Sequence, residues 1–139
     1  MSDVAALQAA LAGEHACVFG YGVVGGVLPP DEEQPARDAF DTHRRRRDDI
    51  ARLLRASGAE PVAALPGYAL PVVVRGPAEA RQLAGLLEAR QAVLLADVVA
   101  AATTSALREG AARWLADAAV RGVSWSGSVT ALPGLDPPP

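Results

Sequence analysis

The chain has no lysine, a single cysteine, and aromatic residues at only 4%. Each scarcity excludes something. With Cys17 alone, no internal disulfide can form, and a reducing compartment fits. Few aromatics combined with abundant alanine favour closely packed helices over a β-sandwich. A net charge of −3 and a pI near 5.3 argue against a general nucleic-acid binder. No basic residue precedes the first apolar run, so it does not read as a secretory signal. That run is interrupted by Glu14 and His15, and the remainder, Ala16–Leu28, is too short to span a bilayer. The expectation is one domain over residues 1–139, soluble and cytoplasmic, with no membrane and no nucleic-acid partner.

What is present is helical periodicity. Leu7, Leu11, Glu14, Val18, Tyr21, Gly25 and Leu28 alternate steps of four and three, a core-facing stripe. The first helix is predicted from about Asp3 to Leu28, capped by Ser2 and ended by Pro29-Pro30. Glu14 stands on this stripe where a leucine is expected. A buried carboxylate needs a partner or a proton, so another segment must answer it. Gly13, Gly20, Gly22, Gly25 and Gly26 weaken the helix unless close packing against a neighbour compensates.

A second helix is predicted from about Pro35 to Gly58. Its stripe is Ala36, Phe40, His43, Arg47, Ile50, Leu54 and Ser57, which puts His43 and Arg47 in the core, with Asp41 and Arg45 paired on the outer face. Residues 59–77 are broken by proline and glycine around an extended Val72-Val73-Val74. A connection this long exceeds what a helical hairpin needs and reads as a crossover, returning the chain so that helix three runs parallel to helix two. Pro77 opens that third helix, whose stripe of Ala80, Leu83, Ala84, Leu87, Leu94, Leu95 and Val98 is bordered by Glu88 and Gln91. A short capped turn over Ala102–Ser105 leads to a fourth helix, about Ala106 to Arg121, stopped by Gly122. The tail, 123–139, is expected to be irregular, with Val123, Trp125, Val129 and Leu132 packing back and the final Asp-Pro-Pro-Pro frayed. The fold class is all-α: an up-down four-helix bundle with a long crossover between helices two and three.

Three clusters invite a functional reading. Gly20-Tyr-Gly22-Val-Val-Gly25 has the form of a dinucleotide loop, but Pro29-Pro30 leaves no helix after it to hold a pyrophosphate, so a small-residue packing seam is expected. Arg44–Arg47 points around a whole helix circumference and is flanked by Asp41, Asp48 and Asp49, as a solvated face would be. Glu14, His43 and Glu88 can converge from three helices, with Arg47 and Tyr21 beside them as further polar-core or ligand-site candidates. His15 lies off the stripe, at the surface or an interface.

The stretches Glu14-His15-Ala16 with Gly20-Tyr21-Gly22, His43-Arg44 with Arg47-Asp48, and Tyr68-Ala69-Leu70-Pro71 resemble a small branch of the ferritin-like superfamily known as a domain of unknown function. The resemblance covers about Leu7 to Leu135. It implies a bundle that in its di-iron members carries a glutamate on each of two helices and a Glu-x-x-His pair on each of the other two. Glu14 and Glu88 match the two single glutamates. His43 matches one histidine, but Phe40 stands where its glutamate belongs; Glu109 matches the other pair, but Ala112 stands where its histidine belongs. The site is degenerate: three carboxylates would face the four charges of two divalent ions. The expectation is therefore a non-enzymatic binding or interaction module with no cofactor, in which Glu14 accepts from His43 or Arg47. A homodimer through the glycine-rich half of helix one is expected. The alternative is an iron or manganese oxidoreductase or storage protein using Glu14, His43 and Glu88. A small apolar ligand between helices is a third reading.

Overall fold

In the computed structural model, which describes residues 1–129 and 131–135, four long helices account for most of the chain, and no strand occurs among the described residues. They are α1 (Asp3–Gly25), α2 (Glu33–Ala56), α3 (Pro77–Ala101) and α4 (Ser105–Ser126). No described helix is long and apolar enough to cross a membrane.

The caps follow local chemistry. The Ser2 hydroxyl accepts from the Ala5 N–H at 3.1 Å and Thr104 accepts from the Leu107 N–H at 3.2 Å, each satisfying an orphan donor of a first turn. Gly58 takes φ +81° just beyond α2, where a left-handed residue closes the end. Three boundaries differ from expectation. α1 stops at Gly25, three residues early, in its cluster of glycines. α2 begins at Glu33, after a 3-10 turn over Pro30–Glu32; Pro35 fits inside the first turn, whose N–H groups have no helical partner anyway. α4 runs through Gly122 to Ser126, because Gly127, at φ +70°, is the residue that supplies the left-handed cap. Residues 123–126 of the expected irregular tail are thus helical. Of the tail side chains, Trp125 packs against the interior, while Val129 and Leu132 are exposed. The closing Asp-Pro-Pro-Pro lies outside the described residues.

Two apolar clusters fix the helix directions. One joins Leu7 and Leu11 of α1 to Ile50 and Leu54 of α2, Leu95 and Val98 of α3, and Ala111 and Ala118 of α4. The other joins Tyr21 and Val24 to Ala36 and Ala39, and to Ala80, Leu83 and Leu87. The first half of α1 therefore meets the second halves of α2 and α3, so α1 is antiparallel to both. Each buried leucine contributes roughly 1.5–3 kcal/mol. α2 and α3 pack on α1, and α4 packs on α3.

The 59–76 connection follows α1. Gln8 clamps it with Nε2 donating to the Glu60 carbonyl at 2.7 Å and Oε1 accepting from the Val62 N–H at 2.9 Å. His15 meets the Val62 carbonyl at 3.0 Å, and the Phe19 and Tyr68 rings lie 5.6 Å apart.

Candidate functional site: an ion network between two cores

Between the apolar clusters lies a layer of polar side chains with no access to solvent. Glu14, His43 and Glu88 are each fully buried, and Arg46 and Gln91 nearly so. α1 delivers Glu14, α2 delivers His43 and Arg46 one turn apart, and α3 delivers Glu88 and Gln91 one turn apart, so the layer is set by where the helices touch.

The imidazole of His43 bridges the two glutamates. Its Nδ1 lies 2.6 Å from Glu14 Oε2 and its Nε2 lies 3.0 Å from Glu88 Oε1. Glu14 Oε1 accepts from Arg46 at 3.2 Å and from Gln91 Nε2 at 2.8 Å. Glu88 Oε1 also accepts from the Tyr21 hydroxyl at 2.6 Å, and Arg121 Nε stands 3.7 Å away. Arg46 reaches on to Asp117 of α4 at 2.9 Å. Three acids, Glu14, Glu88 and Asp117, thus face His43, Arg46 and Arg121. If the ring is protonated the set is neutral, the condition under which buried charges are tolerated.

The ionisation equilibria agree. Burial opposes charge on His43, yet its pKa is raised well above the ordinary 6.5 by the Cys17 sulfur and by hydrogen bonds to Glu14 and Glu88. Burial pushes the Cys17 thiol up and keeps it neutral, so at neutral pH the two glutamates carry the effect. Burial would raise the pKa of Glu88, but the bond from His43, the ring's charge, the charge on Arg121 and the Tyr21 hydroxyl hold it below the ordinary value. Burial and the adjacent Glu88 push the Tyr21 phenol well above its ordinary value, so it stays a donor. The Tyr21 and His43 rings stack at 5.3 Å.

Of the candidates named from sequence, Glu14, His43, Glu88 and Tyr21 come together, and Arg47 does not. Arg47 is half-buried at the surface and pairs with Asp48 at 2.8 Å; the core position belongs to Arg46. The two lie about 100° apart on α2, on either side of the His43 line. The buried arc of α2 runs through Ala39 and Arg46, not Phe40 and Arg47, because that side meets Glu14 and Asp117. In α1 likewise Cys17 and Val24 are buried in place of Val18 and Gly25. The expected Asp41–Arg45 pair does not form: Arg45 donates to Thr42, and Asp41 lies 3.9 Å from Arg44. The Gly20-x-Gly22-x-x-Gly25 string forms the last turns of α1, so helix and not strand precedes it. Gly13 and Gly20 are packing positions: a Cβ on Gly13 would sit 2.1 Å from Gln91 Oε1, and one on Gly20 2.6 Å from Leu87. Glu109 is exposed and pairs with Arg113. Arg46, Cys17, Asp117 and Arg121 were the residues missed. The available signal for Arg46 was an acid on α4 for it to reach.

The cluster fits a metal ion poorly. Both ring nitrogens of His43 are turned to carboxylate oxygens, and both oxygens of Glu14 are engaged. Of the four carboxylate oxygens of Glu14 and Glu88, Glu88 Oε2 alone has no partner, and Gln91 Oε1 and Arg46 Nε also stand without one. Among the described residues no group of three or more His, Cys, Asp or Glu is arranged to hold a metal.

The other side of Glu88 borders a trough of about 900 Å³ between α3 and α4. Its floor includes Gly85, Ala89, Ala92, Ala118 and Gly122, and Ser128, Val129, Pro133 and Gly134 border it. Gly134, at φ +83°, sits so close to the Ala92 carbonyl that a Cβ would be 2.5 Å from it.

The model of a domain of unknown function, DUF4439, matches residues 6–137. The chain belongs to the DUF4439 family. A crystal structure of a conserved hypothetical protein, rv2844, from Mycobacterium tuberculosis is similar to this DUF4439 chain at 39% identity and a TM-score of 0.88, over 90% of this chain and 95% of that one. No curated protein matches.

Proposed function

We propose that this DUF4439 chain is a ferritin-like four-helix bundle that has given up metal chemistry and works as a binding module. Support for the topology comes from the helix directions: α2 and α3 run the same way, as a crossover along α1 requires. Support for the loss of metal chemistry comes chiefly from one observation, the His43 ring held between Glu14 and Glu88 at 2.6 and 3.0 Å. A protonated imidazole there supplies the positive charge that an ion would bring, and Arg46 supplies a second.

The competing class, an iron or manganese oxidoreductase or storage protein, needs His43 to release both carboxylates and offer a lone pair. Elemental analysis after purification, followed by anaerobic titration with iron(II) and manganese(II), separates the two. The binding-module reading expects less than about a tenth of an equivalent and no saturable uptake. Stoichiometric metal bound through Glu14, His43 and Glu88 overturns it.

The module is proposed to be cytoplasmic, in keeping with its buried free thiol at Cys17. It is also proposed to pair with a second copy where Gly22 and Gly25 of α1 leave open space at their Cα atoms; a strict monomer by light scattering removes that pairing. The Arg44–Arg47 run is divided among Asp41, Thr42, Glu14 and Asp48, which supports a solvated face and no nucleic-acid contact.

A further inference from the structure

The outer face of α2 carries charges in a fixed order. Asp38, Asp41, Arg45, Asp48, Arg52 and Arg55 follow steps of three, four, three, four and three. At 3.6 residues per turn this stripe lies about 180° from the buried arc of Ala39, His43, Arg46 and Ile50. Asp41 is half-exposed and the other five are exposed. No member of the stripe bonds another among the described residues. Asp41 and Arg45 stand four apart, as do Asp48 and Arg52, yet Arg45 donates to Thr42, Asp48 takes Arg47, and Arg52 takes Asp49.

Along the helix the signs are minus, minus, plus, minus, plus, plus. Reversing the stripe inverts every sign. An antiparallel copy centred between Arg46 and Arg47 therefore sets Asp38 opposite Arg55, Asp41 opposite Arg52 and Arg45 opposite Asp48, each twice. Sliding that copy by one heptad brings Asp38 opposite Asp48, or Arg45 opposite Arg55, so the register is specified. A parallel copy sets every charge opposite its own sign. The helix dipole favours acids early and bases late, which gives such a helix a fit to its own reverse. The stripe drifts only about 20° per heptad, so two copies cross at a shallow angle.

We propose that the outer face of α2 is a contact surface for a second copy of this chain, paired antiparallel about a two-fold axis so that each charge of the stripe meets its opposite. This rests on the reading that the module pairs with itself, and it assigns a face other than the glycine end of α1. Exposed ion pairs are individually weak, so the contact is transient and salt-sensitive.

The test isolates this face in a Gly22→Arg background. That change closes the glycine end without entering the core, since a Cβ at Gly22 meets nothing within 4 Å. Sedimentation equilibrium at low salt should show a dimer with a Kd of about 0.1 mM, weakened at least about tenfold in about 0.5 M salt. Asp41→Arg or Arg52→Asp alone sets two like-charge pairs across the axis and should weaken it at least about tenfold. The two together restore opposite charges and the dimer. Swapping the middle pair, Arg45→Asp with Asp48→Arg, keeps it likewise. Asp41→Arg with Arg45→Asp is the control: net charge is unchanged, but the new charges face Arg52 and Asp48, so the dimer stays lost. Thermal melts check that each variant is folded. A monomer in the Gly22→Arg background, reversals that leave the dimer intact, swaps that fail to restore it, or a control that restores it overturns the proposal. The wild-type chain separates the two readings. A wild-type dimer abolished by Gly22→Arg removes this face and keeps the pairing at the glycine end; a monomeric wild type removes both.

Discussion

α1 and α4 are nearly equal in length, 23 and 22 residues, yet they meet the interior in different ways. α1 buries nine residues, including Glu14 and Tyr21, and its glycines let α3 approach closely. α4 buries only Ala111 and Ala118. α4 rests on α3 through Ala111, Ala118 and the partly buried Leu107, Trp114 and Leu115, and reaches the polar layer only from its edge, Asp117 to Arg46 and Arg121 toward Glu88. Around α1 both oxygens of Glu14 are engaged, while Arg46 Nε and Gln91 Oε1 have no partner. Beside α4 a trough opens against α3, lined by small residues together with Arg81, Ser126 and Ser128. The difference teaches where architecture ends. A buried charge network holds α1, α2 and α3 together, whereas α4 meets that network only at its edge and leaves open space against α3.

The contrast is broken most forcefully at His43. Replacing it with leucine leaves Glu14 and Glu88 facing each other without the bridging cation, and should cost about 3–5 kcal/mol in urea denaturation. A loss below about 1 kcal/mol would mean the layer holds nothing together. The two arginines come next. Arg46→Met should cost about 2–3 kcal/mol, since Glu14 keeps His43 and Gln91 but loses a buried charge. Arg47→Met should stay within about 0.5 kcal/mol. Equal losses would restore Arg47 to the core.

The glycines sharpen the same comparison within α1. Gly13→Ala drives a methyl into Gln91 and Leu94 and should destabilise by about 1–3 kcal/mol. Gly22→Ala meets nothing within 4 Å and should stabilise by about 0.5–1 kcal/mol through helix propensity.

The mildest probe is pH. The folded pKa of His43 is raised, so its contribution is complete below 6.5 and is lost as pH rises through the folded value. That of Glu88 is lowered, so its contribution is complete above 4.5 and is lost as pH falls through its folded value. The urea midpoint should therefore decline as pH rises above 6.5, and this decline should vanish in His43→Leu. An unchanged slope in the variant would assign the titration elsewhere.

Much of this was legible in the sequence. Glu14 on an apolar stripe announced a partner, and the spacing of α2 put His43 opposite it. The proline- and glycine-broken stretch after Gly58 gave the helix count. What stayed hidden depended on neighbours. A helical wheel places Arg46 and Arg47 on two flanks of one line, and only Asp117, 71 residues away, decides between them. Glycine is a poor punctuation mark for a related reason. Gly122 and Gly127 look alike in sequence, but one lies against Glu88 inside α4 and the other turns left-handed to end it.

The account turns on a protonated imidazole holding two carboxylates together. Nitrogen-15 NMR of the His43 ring at about pH 8, well above where a free histidine titrates, reads that state directly. Two protonated ring nitrogens, each coupled across a hydrogen bond, are the predicted result. A neutral ring with one bare nitrogen would contradict it.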